Sequence, residues 1–161
     1  MNSRNISLAL ECYVKKGQKY LMLRRSAQKR IMPNVWMAPG GRRELGEGVF
    51  ECARREIREE TGLEIQNLQI RATGISLLKD IDLELCLHFL TADYASGVLT
   101  ESTEDGQLVW LTPEEIFGLD NLLAELRPVL PHVFSDIPMV VSYRTVYEKG
   151  NELVDIVIEN P

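Results

Sequence analysis

Apolar and polar residues alternate from Ile6 to Val14, with Ile6, Leu8, Leu10, Cys12 and Val14 on one side, the period of a half-buried strand. Lys15-Lys16-Gly17-Gln18 reads as a turn and Tyr20 to Leu23 as the returning strand of a hairpin. Ser26 to Gly40 keeps no period and holds Pro33 and Pro39, so an irregular connection is expected there. The period then becomes helical. At about 100° per residue, Val49, Phe50, Ala53 and Ile57 form an apolar stripe, with Glu51, Arg54 and Arg58 turned away from it. Leu68, Ile70 and Ala72 alternate again, and Ile81 to Leu90 is the clearest strand in the chain. His88 is out of phase with Leu85, Leu87 and Phe89, which places it on the other side of the sheet.

Asp93 to Gly106 reads as a polar loop carrying Glu101, Glu104 and Asp105, followed by a short strand at Leu108 to Leu111. Thr112-Pro113-Glu114-Glu115 has the residues of a helix start: a threonine cap, proline at the first position and glutamate at the third. Asp120 to Leu126 predicts a further short helix, closed by the restriction that Pro128 puts on its neighbour. Met139 to Tyr147 and Glu152 to Ile158, around Lys149-Gly150-Asn151, predict a C-terminal hairpin. Strand runs before and after a few helices imply an α/β (α+β) architecture, with residues 1–161 as one domain.

Composition supports an ordinary globular protein, with 45% hydrophobic and 26% charged residues. No apolar run approaches the ~18 residues of a membrane span, and Met1 to Asn5 lacks a signal-peptide core. Cys12, Cys52 and Cys86 are odd in number and form no close ligand spacing, which suits a reduced cytoplasm. A net charge of −6 argues against nucleic-acid binding. The cations are concentrated, however. Between Cys12 and Arg43 there is no acid, and nine of the eighteen Lys and Arg residues fall there. Within that run Arg24 and Arg42 are candidates to meet the phosphates of a polyanion, against the plainer reading of dispersed surface charge. Trp36, four residues before Gly40, can either stack on a base or anchor its loop in the core.

The candidate chemistry lies between Gly41 and Leu63. Glu56, Glu59 and Glu60 stand at i, i+3 and i+4 on the helix, and Glu56 and Glu60 flank the apolar stripe, where helix meets protein body. Crowded carboxylates at such a seam need protons, ion pairs or a cation, and a hard divalent ion such as Mg²⁺ fits oxygen donors. The alternative is a solvated Glu/Arg helix.

The stretch fits G-x5-E-x7-R-E-U-x-E-E-x-G-U, U being apolar, at Gly41, Glu47, Arg55, Glu56, Ile57, Glu59, Glu60, Gly62 and Leu63. At roughly 6% usage per residue type, such a match arises by chance on the order of 10⁻⁹ at any one start. It resembles the Nudix box, the signature of the Nudix hydrolases. The resemblance implies the Nudix fold, a mixed sheet between helices, and metal-dependent hydrolysis of a phosphoanhydride in a nucleoside diphosphate derivative. It implies Glu56, Glu59 and Glu60 as ligands of Mg²⁺, or of Mn²⁺ in its place, with the carbonyl of Gly40 or Gly41 as a further ligand. Glu47 would orient Arg55, and Gly62 would end the helix. For the base that takes the proton of the attacking water, the resemblance offers Glu56, or Glu104 or Asp105 before Trp110. Trp36, Gly40 and Gly41 join Arg24 and Arg42 as candidate substrate contacts.

The wider likeness is to the MutT-like group, which releases pyrophosphate from nucleoside triphosphates, in several members from 8-oxo-dGTP. Met37 after Trp36, and Leu122 with Asp120 and Asn121, depart from the base-contacting residues of purine-selective relatives. The alternatives are hydrolysis of ADP-ribose, a nucleotide sugar or a dinucleotide, and a nucleotide sensor that does not turn over. Monomer and homodimer are both open.

Overall fold

The computed structural model describes residues 5–149 and 151–159; Met1 to Arg4, and Gly150 in the expected hairpin turn, lie outside the described residues. In chain order the elements are strands β1 (Ile6–Lys16), β2 (Lys19–Arg25), β3 (Trp36–Met37) and β4 (Gly40–Arg42), helix α1 (Val49–Thr61) and the long β5 (Leu63–Leu78). A single 3₁₀ turn (Lys79–Ile81) leads to β6 (Leu83–Gly97), then β7 (Ser102–Thr103), β8 (Gly106–Leu111), helices α2 (Pro113–Phe117) and α3 (Leu126–Val133), and the hairpin β9 (Val141–Glu148) and β10 (Glu152–Glu159). No helix among the described residues is long and apolar enough to cross a membrane.

The strands join in the order β10-β9-β5-β6-β1-β2-β8-β7, with β1–β6 and β5–β9 parallel and the other neighbours antiparallel. Each face carries a core. One packs Leu10, Cys12, Leu21, Leu90 and Leu63 against Cys52, Ala53 and Ile57 of α1; the other packs Tyr13, Phe89 and Tyr143 against Leu126, Val129, Leu130 and Val133 of α3. This is the mixed sheet between helices that the resemblance implies, within the α/β (α+β) class read from the pattern.

One irregularity positions the site. β1 and β2 stay paired only at their hairpin end, through Lys15–Tyr20 and Lys16–Lys19. Below it they splay, and residues 26–42 cross the gap, β3 adding to β2 and β4 adding to β1 at Ala9, Leu10 and Glu11. Trp36 anchors this crossing: its N–H donates to Asn121 O (2.8 Å), its carbonyl accepts from Leu123 N–H (3.0 Å), and its ring packs on the core.

Two elements differ from the sequence expectation. Residues 120–125 form turns, and the helix is α3, which starts at Leu126 and runs through Pro128 and Pro131. Pro128 falls in the first turn, where an N–H has no intrahelical partner, so only Pro131 forfeits a helical bond. Burial of Leu126, Val129, Leu130 and Val133, spaced i, i+3, i+4 and i+7, outweighs that loss. The strand expected from Ile81 begins at Leu83, after Asp82 in the left-handed region (φ 48°), and continues to Gly97, shortening the expected polar loop. The capping residues of α2 act as expected: Thr112 Oγ1 accepts from Glu115 N–H (3.3 Å) and Glu115 Oε2 from Thr112 N–H (2.8 Å).

Candidate active site

Helix α1 begins with the Gly48 N–H donating to Glu51 Oε2 (2.7 Å) and ends at Gly62, whose left-handed φ of 77° lets its N–H return to Arg58 O (3.0 Å). Between them Arg55 ties loop to helix. Its Nε and Nη2 donate to the two oxygens of Glu47 (2.7 and 2.8 Å), and its Nη1 donates to Glu56 (2.6 Å) and Glu59 (3.3 Å). A planar fork is needed to hold both sides at once. The Arg55 hydrogen bonds hold the Glu47 carboxyl down to about 2.

Glu56 and Glu60 point inward and Glu59 outward, its side chain 60% exposed. Residues 56 and 60 lie about 40° apart around a helix, whereas 59 lies about 60° to the other side of 56. Gly41 passes directly over Glu56: a Cβ there would overlap the carboxyl group, which explains the glycine. Gly40 N–H donates to Glu60 Oε2 (3.2 Å). Burial, with Asp105 next, pushes Glu60 up to about 8, and burial also raises Glu56.

Among the described residues no three acidic, His or Cys side chains already converge at metal-binding range. The donor set nevertheless fits a hard cation. Glu60 is half-buried beside the like charges of Asp105 and Glu56, with Lys29 and Arg25 as the nearby cations. Arg55 Nη1 ties the carboxylates of Glu56 and Glu59 to one nitrogen.

The loop before β8 brings in Asp105 rather than Glu104. Asp105 is half-buried, pairs with Lys29 and exerts the largest electrostatic influence on Glu60. Glu104 is exposed and makes no ion pair among the described residues. The reason is the Gly106 corner: Ser26 N–H donates to Asp105 O (2.8 Å), which turns residue 105 inward and its neighbour out.

Beside these carboxylates, where β1 and β2 splay, lies a cavity of about 160 Å³. Gly40, Gly41 and Arg42 form one wall, and Met32, Met37, Leu85, Leu87 and Leu123 give it apolar sides. Arg25 also lines it, whereas Arg24, the residue singled out from the sequence, is exposed on β2 and does not. Burial lowers the basicity of Arg25, and the charges of Asp105, Glu11 and Glu60 oppose that shift, while its Nε donates to Ile31 O (2.8 Å). Sequence reasoning missed Glu11, Glu125 and Tyr147 in the lining. The one available signal was an acid amid apolar residues, in Ala9-Leu10-Glu11-Cys12 and Leu122-Leu123-Ala124-Glu125-Leu126.

His88 is half-buried on the α1 side of the sheet, its Nδ1 without a partner among the described residues and its basicity lowered by burial and then by Arg43. It does not line the cavity.

This geometry agrees with what the chain matches. Residues 6–133 match the model of the NUDIX domain. The chain belongs to the Nudix family. That family consists of hydrolases acting on phosphoanhydrides. The chain is 32% identical over 111 residues to the uncharacterized Nudix hydrolase YvcI of Bacillus subtilis, covering 67% of each protein. To the dihydroneopterin triphosphate diphosphatase of Escherichia coli it is 32% identical over 101 residues, 63% of this chain and 62% of that enzyme. To the m7GpppN-mRNA hydrolase NUDT17 of Xenopus laevis it is 46% identical over 59 residues, 37% of this chain but only 20% of that protein. In fold it is similar to the MutT protein of Bacillus halodurans, with a TM-score of 0.83 at 23% identity over 96% of this chain and 99% of the other.

Proposed function

We propose that this Nudix hydrolase is a divalent-metal-dependent pyrophosphohydrolase that splits a nucleoside triphosphate into the monophosphate and pyrophosphate. The observation that carries this reading is the crowding of three carboxyl groups, Glu60, Glu56 and Asp105, in which burial and then the charge of Asp105 raise Glu60, along the same Gly40–Gly41 strand that walls the cavity. Glu56 and Glu60, with Glu59 and a carbonyl of Gly40 or Gly41, would hold Mg²⁺. Bound there, Mg²⁺ supplies charge neutralisation of phosphate oxygens and a more acidic water.

The chain's own residues do the rest. Arg25 and Arg42, at the cavity wall, meet the phosphate chain. Arg55 fixes the carboxylates against loop motion. Asp105 replaces Glu104 as the carboxylate to accept the proton of the attacking water, with Glu56 the other candidate.

A cavity of about 160 Å³ takes one flat ring system, since about 150 Å³ suffices for benzene. The relative named for dihydroneopterin triphosphate carries the same division, one heterocycle and one triphosphate. Met37 lines the cavity with a side chain that offers an 8-oxo group no hydrogen bond, so an oxidised purine is not favoured over its parent.

Incubation of the pure protein with Mg²⁺ and a panel of nucleoside triphosphates, ADP-ribose, nucleotide sugars and dinucleotides tests the reading. Pyrophosphate as the product is expected. Two monophosphates, or binding without product, would replace it with one of the other two readings.

A further inference from the structure

Arg55 and Lys29 both reach the carboxylates of the site, and they are held in opposite ways. Arg55 donates to Glu47, Glu56 and Glu59, to Arg42 O (3.1 Å) and to Cys52 Sγ (3.7 Å), so its planar fork is fixed from several sides. The Lys29 ammonium has one hydrogen-bond partner among the described residues, the Asp105 carboxylate, and it ends a flexible four-carbon stem. Both groups of that pair keep contact with water, so another cation can replace the ammonium at little cost.

Lys29 is not needed to place Asp105. Asp105 O accepts from Ser26 N–H (2.8 Å) and Asp105 N–H donates to Thr103 Oγ1 (3.2 Å), which fix the backbone of residue 105 on both sides. What Lys29 supplies is charge. Glu60 stands beside the like charges of Asp105 and Glu56, and Lys29 offsets them. The other nearby cation, Arg25, turns its Nε to Ile31 O (2.8 Å) and makes no ion pair among the described residues.

The segment that carries Lys29 also bounds the cavity, through Ile31 and Met32. Met32 and Asn34 take left-handed φ values of 50° and 60°, which non-glycine residues keep only while their surroundings hold them. The bond from Lys29 to Asp105 is one of those holds, since it joins this segment to the loop before β8.

We propose that Lys29 is a displaceable counter-ion: its ammonium and a divalent cation compete for the carboxylates of Asp105 and Glu60, and exchange of one for the other frees residues 26–34 beside the cavity. The inference rests on the metal-dependent reading of the site. An ammonium and a divalent ion repel each other, so they do not share one carboxylate cluster. Lys29 therefore weakens metal binding, and loading of the metal is passed to the segment that lines the cavity.

Calorimetric titration of Mg²⁺ and of Mn²⁺ into the protein, with no nucleotide present, compares the wild type with Lys29→Met and Lys29→Arg. Lys29→Met keeps a long stem and loses the charge, and is expected to bind both ions about fivefold or more tightly. Lys29→Arg keeps the charge and should stay within about twofold of the wild type. Unchanged or weaker binding by Lys29→Met overturns the proposal and leaves the metal reading standing, and so does an equal gain in Lys29→Arg, which would trace the effect to packing. No binding by any of the three removes the metal reading and this proposal together.

A protease specific for arginine reads the segment itself, because Arg30 is exposed and follows Lys29 directly. Saturating Mg²⁺ should speed the cut after Arg30 in the wild type by about threefold or more, against the slowing that a stabilising ligand brings elsewhere. In Lys29→Met the cut should be fast with or without the ion. A cut after Arg30 that Mg²⁺ slows in the wild type, or leaves unchanged, overturns the exchange.

Discussion

Two groups of glutamates lie on either side of the Gly40–Gly41 strand, and they differ in partner rather than in residue type. Glu47 and Glu56 share the guanidinium of Arg55; Glu11 and Glu125 have hydroxyls, a backbone N–H and no ion pair. The Arg55 hydrogen bonds hold Glu47 near 2, whereas burial pushes Glu11 up to about 8 and raises Glu125. A guanidinium partner favours the ionised carboxylate, and burial without an ion pair favours the neutral acid. Glu60 stands between the two groups. It is raised to about 8, as Glu11 is, yet it faces the charges of Asp105, Glu56 and Lys29. The like charges outweigh the cation there, and that makes it the most informative position in the molecule.

The largest effect is expected there. Glu60→Gln should lower turnover by at least about a thousandfold, since it removes a ligand and its charge together, while metal-free melting stays at or above the wild-type value. Pyrophosphate release at saturating Mg²⁺ measures it, and a wild-type rate would remove Glu60 from the metal site. Arg55→Lys keeps the charge but loses the fork, and should cost about a hundredfold in kcat/KM and about 1–3 kcal/mol of stability by denaturant titration. An unaltered variant would mean that Glu47 and Glu56 hold their places unaided. Asp105→Asn should slow kcat by about tenfold to a hundredfold and Glu104→Gln by less than about twofold. The reverse order in steady-state assays would restore Glu104 to the role expected from the sequence.

A smaller effect is expected from pH. Glu60 and Glu11 rise from the ordinary 4.5 to about 8 on folding, so the stability they add is complete below about 4.5 and is lost as pH rises through 8. Glu47 acts in the opposite sense, adding stability above 4.5 that is lost as pH falls through about 2. Melting of the metal-free protein should therefore fall between about pH 6 and pH 9, and the increase produced by Mg²⁺ should be larger at the alkaline end, where Glu60 is ionised. A larger Mg²⁺ shift at pH 6 would contradict the assignment. The smallest effect belongs to Arg58, which pairs with Glu64 (2.6 Å) with both side chains largely exposed. Arg58→Ala should leave the denaturant midpoint nearly unchanged, which sets the scale for exposed ion pairs outside the site.

The sequence by itself determined what depends on neighbours in the chain. Helix α1, its glycine stop, the Thr112 cap and the C-terminal hairpin strands follow from spacings of a few residues, and so does the bond from Glu47 to Arg55, because loop and helix adjoin. Helix α3 was misplaced because Pro128 and Pro131 signal locally, while the core that overrides them is built from β5, β6 and β9. Tertiary structure alone decided the rest. It turned Asp105 inward and Glu104 outward, put Arg25 rather than Arg24 on the cavity, and gathered Glu11, Ser76, Glu125 and Tyr147 from four separate segments. A pattern of period two or 3.6 tells which side of an element is buried, but not what it is buried against. The polarity of a carboxyl group is set by that second fact.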